Sequence, residues 1–317
     1  MYSEAIKSTQ RLNLPLSKGI TMNQDELYNT RLSALRKEDV AVVGILRNVQ
    51  GDLKTDIDRI KSSLSDFAKI HWFLVESDSS DLSVDALEAA SQSEENFHYI
   101  SLGNLEERFG SRTERMAFAR NRYLHELTDN SVFNSVTYVV IADFNNLNSR
   151  ISRDSIRSCW SHNDWDVCTA NQSGKYYDIW ALRHQLWSPN DCWEQHAFYR
   201  KFMRNPEKAL FVALHSRMIH IPEDSEWIEV ESAFGGFAIY KKDHLLRARY
   251  VGIKSDGQVV CEHVLMHEQM RLEGSRIFLN PRMINMDYTD HSLNSNTWAR
   301  FRRIMLYPQK YLKKKLS

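Results

Sequence analysis

VTYVVIADFNN, residues Val136 to Asn146, is a run of strand-forming residues that ends abruptly in one acid and two amides. Val136, Tyr138, Val139, Val140 and Ile141 suit a strand buried on both faces, and Asp143, Phe144, Asn145 and Asn146 stop it. In an open α/β sheet, ligands collect beyond the carboxyl ends of the strands. Asp143 and Asn145 are one residue apart, so in extended backbone they point the same way. Such a pair can hold a divalent cation, manganese or magnesium, through oxygen ligands while substrate phosphates complete the shell. An Asx-rich turn without any metal explains the same residues equally well.

Outward from this strand, the preceding sequence alternates strands and helices. VAVVGIL at Val40 to Leu46 is the first predicted strand and runs into Arg47 and Asn48. Leu53, Ile57, Ile60, Leu64 and Phe67 recur at helical spacing. HWFLV at His71 to Val75 is a second strand, ending in the polar cluster from Glu76 through Asp78 to Asp81. A helix over 83–91 and a strand over 97–102 follow. Strand, helix, strand in this order means right-handed parallel crossovers, so the polar clusters fall along one sheet edge and frame a nucleotide-sized pocket. The helix predicted over 113–127 carries an anomaly: Arg120 lies within the apolar stripe of Met116, Ala119, Tyr123, Leu124 and Leu127. A guanidinium there needs an anion. Three readings stand: a salt bridge to a strand-end acid such as Asp143, snorkelling to the surface, or, with Arg115 and Asn121, a seat for a bound diphosphate.

Beyond Asn146 we expect a helix over 151–160 and a strand over 165–170. GKYYDIWALR at Gly174 to Arg183 then clusters Tyr176, Tyr177, Asp178 and Trp180, side chains that either grip a sugar or fill a core. Residues 184–208 read as an irregular excursion with a short helix, followed by strands at 209–214, 218–221 and 227–240. Gly235 and Gly236 between apolar runs mark a bulge or a close backbone approach to a ligand. The helix over 261–273 starts with Glu262, which either opposes the helix dipole or takes a proton from an acceptor hydroxyl. His263 and His267 on that helix are either ligands or solvated surface residues. RIFLN, ending at Asn280, is the last predicted strand.

Lys and Arg total 41 and so do Asp and Glu, so no global charge argues for nucleic acid. Four separated cysteines form no C-x-x-C pair, which points to neither zinc nor a disulfide framework and fits a cytoplasmic setting. No stretch is long and apolar enough to span a bilayer. The expected organisation is an arm and helix over 1–38, one domain over 39–290 and a basic amphipathic tail over 291–317. That tail, with Trp298, Phe301 and Tyr311 among cations, has the pattern of a segment lying on an anionic membrane surface, or of a terminal helix with a solvated lysine end.

FLVESDSSDLS, RTERMAFARNRYLHEL, VVIADFNN, YYDIWALR and CEHVLMHEQMRLEGSRIFLNPR resemble, in this order, segments of the capsule-associated fungal α-mannosyltransferases, and beyond them the nucleotide-sugar glycosyltransferases of the GT-A fold. The resemblance implies a GT-A-like (Rossmann-like), mixed, mainly parallel α/β sheet flanked by helices. It also implies transfer of a sugar, mannose by likeness, from a nucleotide diphosphate sugar to a glycan or lipid-linked acceptor in surface polysaccharide synthesis. Arg47, Asn48, Glu76, Asp78, Arg115, Arg120 and Asn121 would hold the donor. Asp143 and Asn145 would hold the metal in place of a D-x-D pair, with Asp143 and Glu262 the catalytic residues. Asp178, Trp180, Gly235, Gly236 and His263 would face the acceptor. Asn145 departs from the pattern, being a neutral and weaker ligand than a second carboxylate, which leaves room for a non-catalytic binding module on the same fold. A nucleotidyltransferase is disfavoured, because the segment after the first strand, Leu46 to Gly51, makes a poor phosphate loop.

Overall fold

The structure, a computed structural model, describes residues 23–287. Most of the N-terminal arm and the whole basic tail lie outside the described residues. Helix α1 (Gln24–Leu35) starts at a capping box in which Asn23 and Glu26 satisfy each other's backbone N–H groups. It joins the domain through buried Leu35 and through Arg31, which donates to the Trp160 carbonyl at 3.1 Å.

The chain continues as β1 (Asp39–Leu46), α2 (Leu53–Ser63), β2 (Lys69–Glu76), α3 (Ser83–Ser93), β3 (Phe97–Ser101), α4 (Arg112–Asp129), β4 (Val136–Ala142), α5 (Arg153–Arg157) and β5 (Val167–Gln172). After these come α6 (Cys192–Phe202), α7 (Pro206–Ala213), β6 (Ile228–Val230), β7 (Phe237–Lys241), α8 (Lys242–Leu245), α9 (Glu262–Leu272) and β8 (Ile277–Met286). The strands form one eight-stranded sheet in the order β3-β2-β1-β4-β7-β5-β8-β6. β1 to β4 are mutually parallel. β7 enters antiparallel to both β4 and β5, β8 runs parallel to β5, and β6 runs antiparallel to β8. The fold is therefore the mixed, helix-flanked α/β sheet that the alternating pattern requires.

Both faces of the sheet are covered, which is why its central strands are apolar throughout. On one face Val43, Val139 and Ile141 pack with Ala117, Tyr123 and Leu124 of α4. On the other, Val42, Val140 and Ala142 pack with Leu53, Ile57 and Ile60 of α2.

The second half departs from the sequence reading in four places, the first being that 227–240, expected as one strand, divides into β6 and β7, which lie apart in the sheet with β5 and β8 between them. Residues 209–214, expected as a strand, belong to α7, because Asn205 caps the Lys208 N–H and Pro206 occupies the first turn. Within 218–221 only His220 bridges, to Lys175, and no strand forms. β8 runs to Met286, past Pro281, and its pairing with β5 shifts register between Thr169 and Asn171 so that the proline sits at an irregularity.

Candidate functional site

A cavity of about 250 Å³ opens beyond the carboxyl ends of β1, β2 and β4, lined by Arg47, Asp78, Arg112, Arg115, Arg120, Asp143 and Asn145 among others. The parallel strands deliver Arg47, Asp78 and Asp143 there simply by ending. Helix α4 presents Arg112, Arg115, Met116, Ala119 and Arg120 on a single face, since these positions repeat every three or four residues. Four guanidinium groups thus line it together with two carboxylates and an amide.

Arg120 is almost wholly buried, and it is the hinge of the electrostatics. Its Nε donates to Glu262 Oε1 at 3.1 Å and one terminal nitrogen donates to Asp143 Oδ1 at 3.3 Å. Burial pulls the guanidinium's pKa down, but Tyr123, Glu262 and Asp143 more than reverse it, so Arg120 stays charged. The same burial pushes the Asp143 carboxyl above its ordinary value against the pull of Arg120. Of the sequence readings, the salt bridge to Asp143 is thus present, snorkelling is excluded by burial, and the guanidinium reaches the cavity only as part of its wall. On the rim, Arg47 and Arg115 converge on Glu106 at 2.8 and 3.2 Å.

The Asp143 turn is clamped from several sides. Its backbone is not extended: Asn145 and Asn146 are left-handed, with φ of 85° and 58°, so Asp143 and Asn145 meet the cavity through a tight turn rather than strand alternation. Asp56, buried on the inner stripe of α2, accepts the N–H groups of Asn145 and Asn146 at 2.9 and 2.8 Å. Behind the turn, Asn148, Gln172 and Asn285 form a buried chain of amides. Asn148 donates to the Asp143 carbonyl at 2.6 Å, and Asn285 donates to Asn148 at 2.9 Å and to the Gly235 carbonyl at 2.8 Å. Gln172 donates to Gly235 and Asn285. A buried polar network in which each partner is satisfied fixes one geometry.

Several residues expected at the site lie behind it instead. Asn48 braces the loop after β2 by accepting the Ser80 N–H, and buried Glu76 accepts the Ser79 N–H. Asn121 is committed to both backbone groups of Tyr250. Gly235 and Gly236, with φ of 71° and 85°, make a turn whose missing side chains leave room for Gln172, Tyr177 and Asn285, not for a ligand in the cavity. Trp180 donates to Asp191 at 3.0 Å. Glu262 is buried against Arg120. His263 is buried and stacked on Phe234 at 4.0 Å between ring centres, and His267 is held between Ser232 and Tyr240 at 2.9 Å each. Neither histidine is a solvated surface residue: Glu262, His263, Met266, His267 and Met270 form the buried face of α9. Burial lowers the pKa of both, so they are neutral.

Arg112, Asp56, Asn148, Gln172 and Asn285 were not singled out from sequence. Arg112 was legible, being one turn before Arg115 and Met116 on the face that holds Arg120. Asp56 repeats the same anomaly, a charge on an apolar stripe between Leu53, Ile57 and Ile60.

Asp178 accepts the Gly235 N–H at 3.0 Å, and burial, with Asp143 nearby, raises its pKa from 3.8 to about 6. The fold therefore favours the protonated carboxyl, so Asp178 costs stability above pH 6, and this cost fades as the pH falls from 6 towards 3.8. The cost at neutral pH is at most about 3 kcal/mol, less what solvent screens at this half-buried side chain. Asp178→Asn keeps an acceptor for Gly235 and is expected to raise the melting temperature by a few degrees at about pH 7 and by nothing at about pH 4. A variant less stable than the parent at neutral pH would show that the carboxylate is favourable where it is.

Asp143 and Asn145 offer two oxygen donors at one cavity wall, and among the described residues no group of three His, Cys, Asp or Glu side chains is placed to hold a metal. That set fits a magnesium- or manganese-type ion whose remaining ligands are phosphates and water, and it does not fit a closed protein cage. Among the described residues, no helix is long and apolar enough to cross a membrane.

No protein-family model matches the chain, and no curated protein matches it. Among solved structures it is similar to a mannosyltransferase from Pyrobaculum calidifontis in complex with GDP-mannose and Mn2+, at 15% identity and a TM-score of 0.44 over 88% of this chain. It spans 64% of that protein's chain. It is also similar to glucosyl-3-phosphoglycerate synthase from Mycobacterium tuberculosis in complex with Mn2+, UDP and phosphoglyceric acid, at 12% identity and a TM-score of 0.38, covering 81% of this chain and 70% of that one.

Proposed function

We propose that the protein is a glycosyltransferase of the GT-A type, moving a sugar from a nucleotide diphosphate sugar to a hydroxyl acceptor. The observation that carries this reading is the cavity at the strand ends, which Arg47, Arg112 and Arg115 line together with Asp143 and Asn145. Cations facing a metal-type oxygen pair suit a diphosphate that must leave as an anion. Asp143 and Asn145 would hold the divalent ion, which, when bound, neutralises charge on the departing diphosphate. Arg112 and Arg115 of α4 and Arg47, just after β1, grip the phosphates, and Asp78 lines the same cavity. Glu262 touches Arg120 and not the cavity, so it acts as a positioning residue: it holds the guanidinium that in turn orients Asp143. The amide chain and Asp56 keep the turn in one shape, so little reorganisation is needed when the donor arrives.

The likeness of the sequence segments to capsule-associated mannosyltransferases favours mannose as the sugar and a glycan or lipid-linked saccharide as acceptor. The test is calorimetric titration with GDP and with UDP, each with and without manganese. Binding of one of them, strengthened at least about tenfold by manganese, is the expected result. Binding of neither would remove the reading.

A further inference from the structure

Helices α6 and α7 stand out from the β5–β6 connection with their large side chains facing the wrong way. Trp193, Phe198, Phe202 and Phe211 are 44%, 56%, 73% and 49% exposed. Their inner face is properly closed by Cys192, Ala209 and Ala213, all buried. The hairpin is also firmly rooted. Asp191 caps α6 through the Trp193 and Glu194 N–H groups and binds Arg183 at 2.8 Å. Buried Arg217 ties Ser188 and Asn190 together at the base. The exposed rings are therefore presented by an ordered element. Phe198 and Phe202, one turn apart on α6, pack on each other with ring centres 5.0 Å apart, leaving their outer edges in water.

Cations are interleaved with these rings: Arg200, Lys201, Arg204 and Lys208 are all exposed, against the acids Glu194 and Glu207. An exposed apolar patch set among cations marks an interaction surface. Rings that enter the headgroup region beside cations that meet anionic lipid are the chemistry of an interfacial helix. A second copy of the chain is a poorer occupant, because a two-fold contact through this patch would bring its cations against themselves. We propose that the α6–α7 hairpin is a docking surface for an anionic lipid bilayer. This surface is separate from the donor cavity, and it stands or falls independently of the transferase reading.

The experiment is vesicle flotation of the full-length protein with phosphatidylcholine alone and with an equimolar mixture of phosphatidylcholine and phosphatidylglycerol, without nucleotide. The intact protein is expected to float with the anionic vesicles and not with the neutral ones. Phe198→Ser with Phe202→Ser, and separately Arg200→Gln with Lys201→Gln and Arg204→Gln, should each weaken that binding at least about tenfold while the circular dichroism and melting temperature are retained. The two variants share no position, so loss of fold in one leaves the other to decide. Failure of the intact protein to float, undiminished flotation of both variants, or a dimer in sedimentation that the phenylalanine changes dissolve without affecting flotation would each overturn the proposal.

Discussion

Asp143→Ala is expected to lower sugar transfer by about 10²–10³-fold, the scale on which a lost electrostatic contact to a developing charge is felt. The side chain is 29% exposed and lines the cavity, and its removal leaves Arg120 paired with Glu262, so the protein should still fold. The fold is protected further because the turn is held through backbone groups: the Asp143 N–H donates to the Gly236 carbonyl at 2.9 Å and its own carbonyl accepts from Asn148. Asp143→Asn separates charge from shape, because it preserves the volume and an oxygen ligand. The two variants should fail alike in transfer and in manganese-dependent nucleotide binding, with melting temperatures close to the parent. Transfer within a few-fold of the parent in Asp143→Ala would take the metal role away from this residue. Absence of transfer in the parent itself, with nucleotide binding intact, would leave the binding-module reading.

Arg120→Met should act in the opposite way, striking the fold first. The guanidinium is the cation facing both Glu262 and Asp143, and Glu262 is almost fully buried. Truncating one member of a buried ion cluster typically costs about 3–5 kcal/mol, because the remaining charges stay out of water without a partner. In a domain of this size that is a fall in melting temperature of roughly 10 °C. The pH dependence has a definite sign. Without Arg120 the Asp143 carboxyl loses the cation that pulls it down and rises further above its ordinary value in the folded protein, so its share of the deficit is full where it is ionised and shrinks as the pH falls and it takes up a proton. The gap between variant and parent should therefore be smaller at about pH 5 than at about pH 8. Adding Glu262→Leu should recover part of the loss, since it removes the stranded charge. A single variant as stable as the parent at neutral pH would mean that the cluster carries no such charge.

These two expectations show what the sequence could and could not disclose. The parallel half was legible because its strands are apolar on both faces and each ends in a polar cluster. VAVVGIL, HWFLV and VTYVVIA lie where their composition puts them, and the cavity opens at their shared edge. Arg120 was legible as an anomaly, because a charge on an apolar stripe demands a partner wherever the helix packs. Asp56 obeys the same rule but is harder to see, since it is one acid in a helix rich in Lys and Asp. The supports around Gly235 were not legible. Asn148, Gln172 and Asn285 meet across long sequence separations, and an amide has no periodic signature. The aromatic run at Tyr176 to Trp180 left a sugar platform and a core both open, because density of rings does not say which side they face. Tyr176 and Ile179 proved to be core. The apolar run of α7, taken alone, has the pattern of a strand, whereas Asn205 and Pro206 before it are the cap and first turn of a helix.

Every cavity-lining side chain comes from the stretch Ile45 to Leu147, whereas part of what locks Asp143 from behind, the Gly236 carbonyl that accepts its N–H and the Asn285 amide that holds Asn148, is supplied after β5. The order of assembly follows from this. β1 to β4 and their helices are joined by short-range crossovers and can collapse early, but β7 must close a loop of most of the second half before its Gly235-Gly236 turn reaches the end of β4. The pocket thus acquires its arginines first and its rigid floor last. During refolding, burial of the parallel core should precede recovery of nucleotide affinity, and the lag between them measures the time the chain needs to bring its distant half home.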